Sequence, residues 1–416
     1  MHSDSSDLAA PAGVKHIGDT MSDETKKLWE TSPFTDEAHA ALHFHSDVRV
    51  TDCTLRDGEQ QAGIVFTRQD KVDIARALDR LGIYEIEAGT PASSDEDRAA
   101  IEEISGLGLR AKISALVRGR RDDIDLAAQC GVWGARISLP ISTIQRNAKL
   151  KLDDDQYIKL ALESAAMVKE RGLECIFSPF DTTRADFPFL ARLLETFAQE
   201  KTVDRVRIVD TTGCATPEII GLLVLRMRAV SDIPIEIHCH NDFGLAVANT
   251  VAGLAQGAQY MSVTVNGIGE RSGNASLEET VLALRVLHGV DCGVDLSQFM
   301  DVSRLVEERS GISLQAHKPV VGRGAFAHES GMVVAGLLKD PFTAESYVPE
   351  LVGQSRRVVL GKKSGVTSVE AKLAALGLTV PTDQIPAILA SIKAEALRTK
   401  RPIDDDRLRA LVEAAG

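Results

Sequence analysis

The spacing of hydrophobic residues changes repeatedly along this chain, from every second residue to every third or fourth. Apolar residues at helical spacing predict helices at 68–81, 95–107, 155–171 and 188–199. Short runs rich in β-branched residues predict eight strands, at 48–53, 83–89, 111–117, 133–139, 173–180, 205–210, 234–239 and 260–266. Strands that alternate with helices predict a parallel sheet, and eight such units are the number that closes a barrel.

We therefore predict an α/β fold in which residues 48–312 form a (β/α)8 TIM barrel. A doubly wound open sheet is the alternative, but no GxGxxG turn follows the first strand. Residues 1–47 are predicted to be an N-terminal extension, disordered over 1–21, with short helices at 23–29 and 35–43. The alternation is lost after residue 312. Residues 313–416 are predicted to form a linker, irregular over 315–330, and a small helical subdomain with helices at 366–376, 385–400 and 404–415.

Net charge, apolar runs and cysteine spacing argue against several classes of protein. The net charge of −13 argues against nucleic acid as the main partner. No apolar run reaches the ~18 residues that span a membrane, and the N-terminus lacks a secretory signal pattern. The six cysteines show no CxxC spacing and are predicted to be buried, reduced thiols of a cytoplasmic protein.

The candidate chemistry lies at the carboxyl ends of predicted strands, which meet at one mouth of a barrel. His238 and His240 are two residues apart on the seventh strand, so both imidazoles face the same side. Such a pair alone is more often structural than metal-binding. Asp57 follows the first strand, however, and Asn274 follows the eighth, so one carboxylate, two imidazoles and one amide are predicted to hold a divalent cation: Mg²⁺, Mn²⁺ or Zn²⁺.

Other polar residues are expected around this mouth. Arg56 is either a surface ion-pair partner or, as the position favours, a cation that stabilises an enolate oxygen. Glu87, after the second strand, is placed to hydrogen-bond Arg56 or a substrate, and Gln60 and Thr211 are candidate contacts to a substrate carboxylate. The connection 267–271 is either a mobile lid or an ordinary βα loop.

Three motifs carry a resemblance to a known family: TLRDGEQQAG at 54–63, HCHNDFGLAVAN at 238–249 and NGIGERSGNASLEE at 266–279. Over residues 48–376 the chain resembles the metal-dependent barrel family of 2-isopropylmalate synthase, homocitrate synthase and hydroxymethylglutaryl-CoA lyase. The later segments around 318–331 and LGKKSG at 360–365 resemble the synthase branch, and the segment 138–142 is similar to homocitrate synthases.

The resemblance implies a condensation. The metal binds a 2-oxo acid, acetyl-CoA supplies an enolate that attacks the keto carbon, and hydrolysis of the thioester releases CoA. Arg56 and Glu87 would then be catalytic, Gln60 and Thr211 would bind the 2-oxo acid, and Asp57, His238, His240 and Asn274 would hold the metal. The resemblance also implies a homodimer, in which the C-terminal segment crosses to the neighbouring subunit.

The chain departs from the family at three positions. Phe180, Val333 and Ala344 stand where the synthases usually have a glutamate, a histidine and a tyrosine. These three side chains cannot transfer protons. The departures predict either altered chemistry or a substitute proton donor among four residues: His317, His328, Glu329 and Tyr347. Phe180 would either admit a bulkier, more apolar substrate or serve only in core packing.

Three functions follow from these residues. The first is condensation of an acyl-CoA, such as acetyl-CoA, with a 2-oxo acid. The second is a lyase or aldolase that uses the same metal site without thioester hydrolysis. The third is a binding protein that has lost its activity.

Overall fold

The computed structural model describes residues 27–415. Eight parallel strands form a closed barrel in chain order, because the first strand also pairs with the eighth, with Arg49 opposite Tyr260. The strands are β1 Arg49–Asp52, β2 Glu85–Glu87, β3 Lys112–Val117, β4 Gly134–Pro140, β5 Glu174–Phe180, β6 Arg205–Asp210, β7 Ile235–Cys239 and β8 Tyr260–Val263. The predicted TIM barrel is confirmed, and the open sheet is excluded.

Helices surround the barrel and supply the outer half of its core. They are α1 Thr35–His39, α2 Arg68–Leu81, α3 Asp95–Gly106, α4 Arg121–Gln129, α5 Thr143–Lys149, α6 Asp154–Glu170, α7 Phe187–Glu200, α8 Pro217–Arg228, α9 Ala246–Leu254, α10 Leu277–Leu287 and α11 Phe299–Ser310. Local sequence sets their starts: Thr67 and Asp70 form a capping box that begins α2, and Asp153 and Gln156 form one that begins α6. The predicted helices agree with these bounds to within a residue or so.

The C-terminal region is helical, as predicted, and has a core of its own. Two short parallel strands, β9 Ala327–His328 and β10 Arg357–Val358, connect the barrel to it. Its helices are α12 Gly331–Leu337, α13 Val366–Ala375, α14 Ile385–Thr399 and α15 Asp405–Ala415. The helices α13, α14 and α15 enclose a hydrophobic cluster separate from the barrel core: Leu360, Val369, Leu373, Ile385, Ile388, Ile392, Ile403 and Leu408.

Two helix predictions for the N-terminal extension differ from the structure: one is contradicted over the part that is described, and the other is confirmed over a shorter range. Of the helix predicted at 23–29, the described residues 27–29 are not helical, and Trp29 forms an antiparallel bridge with Tyr347. Pairing with the linker supplies backbone partners that a short isolated helix would not have. The helix predicted at 35–43 ends at His39. The disorder predicted for residues 1–21 lies outside the described residues.

The interior of the barrel contains paired charges as well as apolar side chains. Glu85 accepts hydrogen bonds from Arg136 and Arg205, both at 2.5 Å, while Glu236 accepts from Arg136 at 2.9 Å and from Arg207 at 2.7 Å. All five side chains are at most 2% exposed. We call these five buried side chains the charged floor of the barrel.

Candidate metal centre and active site

The barrel brings together three side chains from two separate parts of the sequence. Asp57 lies in the loop after β1, His238 lies on β7 and His240 just past its end. Asp57 Oδ2 is 3.5 Å from His238 Nε2 and 3.8 Å from His240 Nε2. The imidazole planes are nearly perpendicular, at 87°. One carboxylate oxygen of Asp57 thus lies within 3.8 Å of a ring nitrogen of each histidine.

The protonation states of this trio suit a cation. Burial and the nearby Arg207 guanidinium hold the pKa of His238 well below its usual range, and burial lowers the pKa of His240. Burial alone would raise the pKa of Asp57, but Arg56 and the two histidines outweigh it and lower the pKa to about 2. Two neutral imidazoles with free lone pairs beside a carboxylate are the forms that ligate divalent metals.

Asn274 completes the predicted set on the β8 side. Its Nδ2 donates to Asp57 Oδ2 at 2.6 Å, and its buried Oδ1 has no hydrogen-bond partner among the described residues. An unpartnered buried amide oxygen is costly unless something absent from the protein satisfies it. Rotation of the Asn274 amide group, which would exchange its oxygen and nitrogen, would direct the oxygen toward Asp57. The residues therefore fit a cation.

The loop that carries Asn274 is tightly constrained. Gly269 has φ +158°, and a Cβ there would lie 2.2 Å from Asn274 Nδ2. Asn274 N donates to Gly267 O at 3.1 Å, and Arg271 donates to Asp242 at 2.9 Å. Only residues 270–272 of this connection are exposed. These contacts favour a fixed βα loop over a mobile lid.

Cys53 is a site residue that the sequence analysis missed. Its Sγ and single ligand atoms of Asp57 and His238 lie within 4.8 Å of one another. The thiol donates to Val263 O at 3.3 Å and accepts from Ser262 Oγ at 3.3 Å, while Ser262 Oγ lies 2.9 Å from His238 Nδ1. Burial raises the pKa of Cys53 above its usual value. Cys53 is thus a neutral thiol at the end of a hydrogen-bond chain to His238. The signal available in the sequence was the two-residue alternation that puts Thr51 and Cys53 on the same face of the strand predicted at 48–53.

Arg56 is held between two carboxylates. Its Nε donates to Glu87 Oε1 at 2.6 Å, its Nη2 to Glu87 Oε2 at 3.3 Å, and its Nη1 to Asp57 Oδ1 at 2.7 Å. Arg207 donates to Glu87 Oε2 at 3.0 Å, which connects the pair to the charged floor of the barrel. Burial would raise the pKa of Glu87, but the Arg56 and Arg207 cations hold it well below its usual range. Of the two alternatives for Arg56, the surface ion pair is excluded by its 9% exposure.

The two predicted substrate contacts differ in their surroundings. Gln60 is exposed, and its Oε1 lies 3.5 Å from Arg56 Nη1, the outer limit of a hydrogen bond. Thr211 follows β6, and its Oγ1 accepts from Asp181 N at 2.7 Å. Its carbonyl accepts from Arg271 at 2.7 Å. Their roles in substrate binding stay predictions.

The four proposed substitutes for the absent proton donors are in different surroundings. His328 contacts Glu345 at 3.0 Å, and Glu329 accepts from Lys363 N at 2.8 Å. Tyr347 packs against Phe326, and burial raises its pKa to about 12. His317 alone of the four lines the cavity of about 410 Å³ that also contains Asn274. The cavity therefore favours His317.

Comparison with known proteins agrees with this geometry. The model of the HMGL-like family matches residues 47–306, and the model of the homocitrate synthase post-HMGL domain matches residues 320–400. The chain belongs to the HMGL-like family. The resemblance that the motifs predicted is confirmed.

Several curated relatives are similar over most of the chain. Homocitrate synthase AksA of Methanothermobacter thermautotrophicus is 40% identical, covering 92% of this chain and 97% of the relative. Two proteins of Methanocaldococcus jannaschii are also 40% identical: 2-isopropylmalate synthase, covering 89% of this chain and 72% of the relative, and (R)-citramalate synthase CimA, covering 89% and 75%. The protein is thus an enzyme of the family of homocitrate, isopropylmalate and citramalate synthases, whose members use acyl-CoA and 2-oxo acid substrates.

Solved structures support the fold alone. The HMG-CoA lyase of Bacillus subtilis superimposes with a TM-score of 0.58 at 19% identity, covering 66% of this chain and 97% of the lyase. The lyase of Pseudomonas aeruginosa gives the same TM-score and identity over 65% of this chain and 95% of its own.

Two further expectations were tested by the structure. No helix within residues 27–415 is long and apolar enough to cross a membrane. All six cysteines are free and four of them are buried, but Cys292 is half-buried and Cys214 is exposed, so the prediction of burial is met only in part at Cys292 and is wrong at Cys214. Cys214 lies in the loop between β6 and α8.

Proposed function

We propose that this enzyme catalyses the divalent-metal-dependent condensation of acetyl-CoA with a 2-oxo acid. The observation that supports it best is the pair of contacts made by Asp57. One carboxylate oxygen faces His238 and His240, and the other accepts from Arg56 at 2.7 Å. A cation site and a guanidinium therefore share one carboxylate, so an electrophile on the cation and an enolate on Arg56 would be neighbours.

Each residue has a distinct part in the proposal. Asp57, His238, His240 and Asn274 hold the cation, which, when bound, polarises the keto oxygen of the 2-oxo acid as a Lewis acid. Arg56 donates hydrogen bonds to the oxygen of the acetyl enolate as its negative charge develops. Glu87 fixes Arg56 in that orientation, and Gln60 and Thr211 contact the substrate carboxylates.

Proton removal is assigned to His317. The His317 imidazole, which lines the cavity beside Asn274, accepts a proton from the acetyl methyl group. The resulting carbon nucleophile forms a bond to the keto carbon, and the keto oxygen takes the proton from the His317 imidazolium and becomes a hydroxyl group. Water then cleaves the thioester, giving a carboxylate and free CoA thiol.

The direct test is thiol release. Enzyme, acetyl-CoA and a panel of 2-oxo acids are mixed with Mg²⁺, Mn²⁺ or Zn²⁺, and free thiol is measured. At least one acid should release thiol with one of the metals, and Asp57→Asn should abolish the release. Silence across the panel, in protein shown to bind the metal, would refute the condensation. Light scattering on the same sample tests the proposed homodimer.

Cleavage of a carbon–carbon bond is the second candidate function. It is favoured by the absence of a histidine at position 333 and a tyrosine at position 344. Val333 and Ala344 carry no group that moves a proton, and a lyase needs no thioester hydrolysis. The same Arg56 would stabilise the enolate left by cleavage. This reaction predicts a carbonyl product from 3-hydroxy acids without added acyl-CoA, so product analysis separates the two candidates. A binding protein without activity has no support from relatives that are all named as synthases.

A further inference from the structure

We propose that a cavity between α11 and the linker binds a phosphorylated small molecule, whose phosphate groups are held by Arg304, Arg323 and Arg357. The cavity has a volume of about 360 Å³ and is distinct from the one that contains Asn274 and His317. Its volume lies within the ~300–1,000 Å³ that small-molecule sites usually have. The inference goes beyond the proposed function and does not depend on it, because the site would bind its ligand whether or not the enzyme condenses acetyl-CoA.

One wall of the cavity is a face of α11. Met300, Arg304 and Glu307 line the cavity, and their spacing of four and three residues places them on the same side of the helix. Glu307 is the only acidic residue of the lining within the described chain, and its Oε1 accepts a hydrogen bond from Leu314 N at 2.8 Å. The exposed Arg304 thus directs a positive charge to a wall whose one carboxylate already binds the backbone.

Two segments of the linker form the opposite wall and bring the other two arginines together. Arg357 Nη2 donates a hydrogen bond to Arg323 O, so the Arg357 guanidinium lies beside the backbone of Arg323. The Arg357 backbone is itself fixed, because its N–H donates to Phe326 O at 2.9 Å where β10 pairs with β9. Residues distant in sequence therefore place two guanidinium groups at one cavity.

The backbone that leads to Arg323 is held in an unfavourable conformation. Val320 is buried and has a φ of +65°, in the left-handed region that β-branched residues rarely adopt. Gln354 Nε2 donates to Val320 O at 2.7 Å and to Gly322 O at 3.2 Å, which fixes the segment in this conformation. Backbone strain of this kind is found often in segments that hold ligands, where it sets the geometry before the ligand binds.

The charge of the cavity is opposite to that of the whole protein. The chain has 60 acidic residues against 47 lysines and arginines, yet no carboxylate in the described part of the chain forms an ion pair with Arg304, Arg323 or Arg357. The neighbouring Arg309 and Arg356 do form such pairs. Three like charges around one cavity repel one another, so an anion that contacts all three would be favoured.

The side chains of the lining indicate the class of ligand. The N–H groups of a guanidinium form a planar fork that matches two oxygens of a phosphate. Met300, Leu314 and Val321 supply apolar surface beside the arginines, which suits the organic part of a phosphate ester. Leu314 also lines the cavity that contains Asn274, so the two cavities are adjacent. The phosphates belong either to the nucleotide part of CoA or to a separate phosphorylated metabolite.

Calorimetric titration with inorganic pyrophosphate, without divalent metal and at constant ionic strength, tests the site. The wild type should bind pyrophosphate, and Arg304→Gln, Arg323→Gln and Arg357→Gln should each weaken binding by ~10-fold or more, the effect of losing one charge-assisted contact. Arg409→Gln is the matched control, since it removes an exposed arginine of α15 that does not line the cavity, and it should leave the affinity unchanged. Thermal unfolding of each variant checks that the fold is kept.

Competition with CoA distinguishes the two sources of phosphate. If CoA supplies it, CoA should displace pyrophosphate and should bind ~10-fold or more weakly to Arg304→Gln than to the wild type. If a separate metabolite supplies it, CoA should leave pyrophosphate binding unchanged. Both results would support the site. Absence of pyrophosphate binding, or equal affinity in the wild type and the three variants, would overturn it without bearing on the condensation, which thiol release tests separately.

Discussion

At the scale of single residues, the orientation of His238 depends on groups that do not touch the cation. Cys53 donates to Val263 O, Ser262 donates to Cys53, and His238 Nδ1 donates in turn to Ser262 Oγ. The bonds run in one direction, so they place the imidazole proton on Nδ1 and leave the Nε2 lone pair for the metal.

Ser262→Ala should therefore weaken metal binding. Without the hydroxyl, the Nδ1 proton loses its acceptor and the ring its orientation, so the dissociation constant for Mn²⁺ should rise by about 10-fold or more. The constant is measured by titration with electron paramagnetic resonance of free Mn²⁺. Ser368→Ala removes an equally buried hydroxyl in α13 and should leave it unchanged. Unaltered Mn²⁺ affinity in Ser262→Ala would contradict the proposed chain.

His317→Asn should lower kcat without weakening the binding of the 2-oxo acid. Asparagine keeps a polar side chain in the cavity but cannot accept a proton, so kcat should fall by about 10²-fold or more while the affinity for the 2-oxo acid stays within a few fold. Steady-state thiol release and calorimetry give the two quantities. His328→Asn is the control, because His328 contacts Glu345 and does not line the cavity. A larger loss of kcat in the control than in His317→Asn would assign the proton transfer elsewhere.

The sequence predicted the residues of the mouth better than those that support them. Asp57, His238 and His240 lie at strand ends, where the fold itself predicts convergence. Cys53 directly follows β1 and Ser262 lies on β8, and these two strands pair only when the barrel closes. Nothing local to either residue reveals that pairing, so their link to His238 needed the structure.

At the scale of elements, charged and apolar residues alternate along β2 and β6, but the charged face is not exposed to solvent. Glu85 and Glu87 on β2, and Arg205 and Arg207 on β6, alternate with apolar residues. In an open sheet this pattern indicates a solvent-exposed face. Here those faces point into the barrel, where the acidic and basic side chains satisfy one another. Sequence alone could predict the strands but not which face is inside.

Glu85→Gln tests how much the barrel depends on this network. The change leaves Arg136 and Arg205 buried without their anionic partner, so the free energy of unfolding at pH 7 should fall by ~3–5 kcal/mol. Denaturant titration measures it. Glu163→Gln, which removes an exposed carboxylate 3.9 Å from Lys159, should change it by no more than ~0.5 kcal/mol.

The same substitution should change the pH dependence of stability. Burial would raise the pKa of Glu85, but Arg136 and Arg205 outweigh it and hold the pKa below the ordinary 4.5. A depressed pKa gives stability that is complete above about pH 4.5 and is lost as the pH falls through the lower native value. Unfolding free energy of the wild type should therefore decline below about pH 5, and Glu85→Gln should decline less steeply. Parallel curves would show that Glu85 does not titrate as described.

At the scale of the whole molecule, the chain has two hydrophobic cores connected by an irregular linker. The barrel core extends to Val352, whereas the second cluster begins at Leu360 and consists of α13–α15 and the residues between them. The helices of this second unit were predictable from their spacing. Its strand-like bridge Leu360–Ile403 was not, because it joins residues far apart in sequence, and the same is true of the bridge Trp29–Tyr347 between the N-terminal extension and the linker.

Two separate cores predict two levels of stability. Ile392 is fully buried in the second cluster, so Ile392→Ala should cost ~2–5 kcal/mol there. If the two clusters unfold independently, the free energy of opening measured by hydrogen exchange should fall by up to ~2–5 kcal/mol in α13–α15. The free energy of opening of the barrel strands should stay the same. Ile86→Ala, an equally buried change on β2, should instead weaken protection across the barrel. Loss of protection throughout the protein in both variants would mean that barrel and C-terminal helices unfold as one unit, and that the enzyme depends on the second core for its stability as a whole.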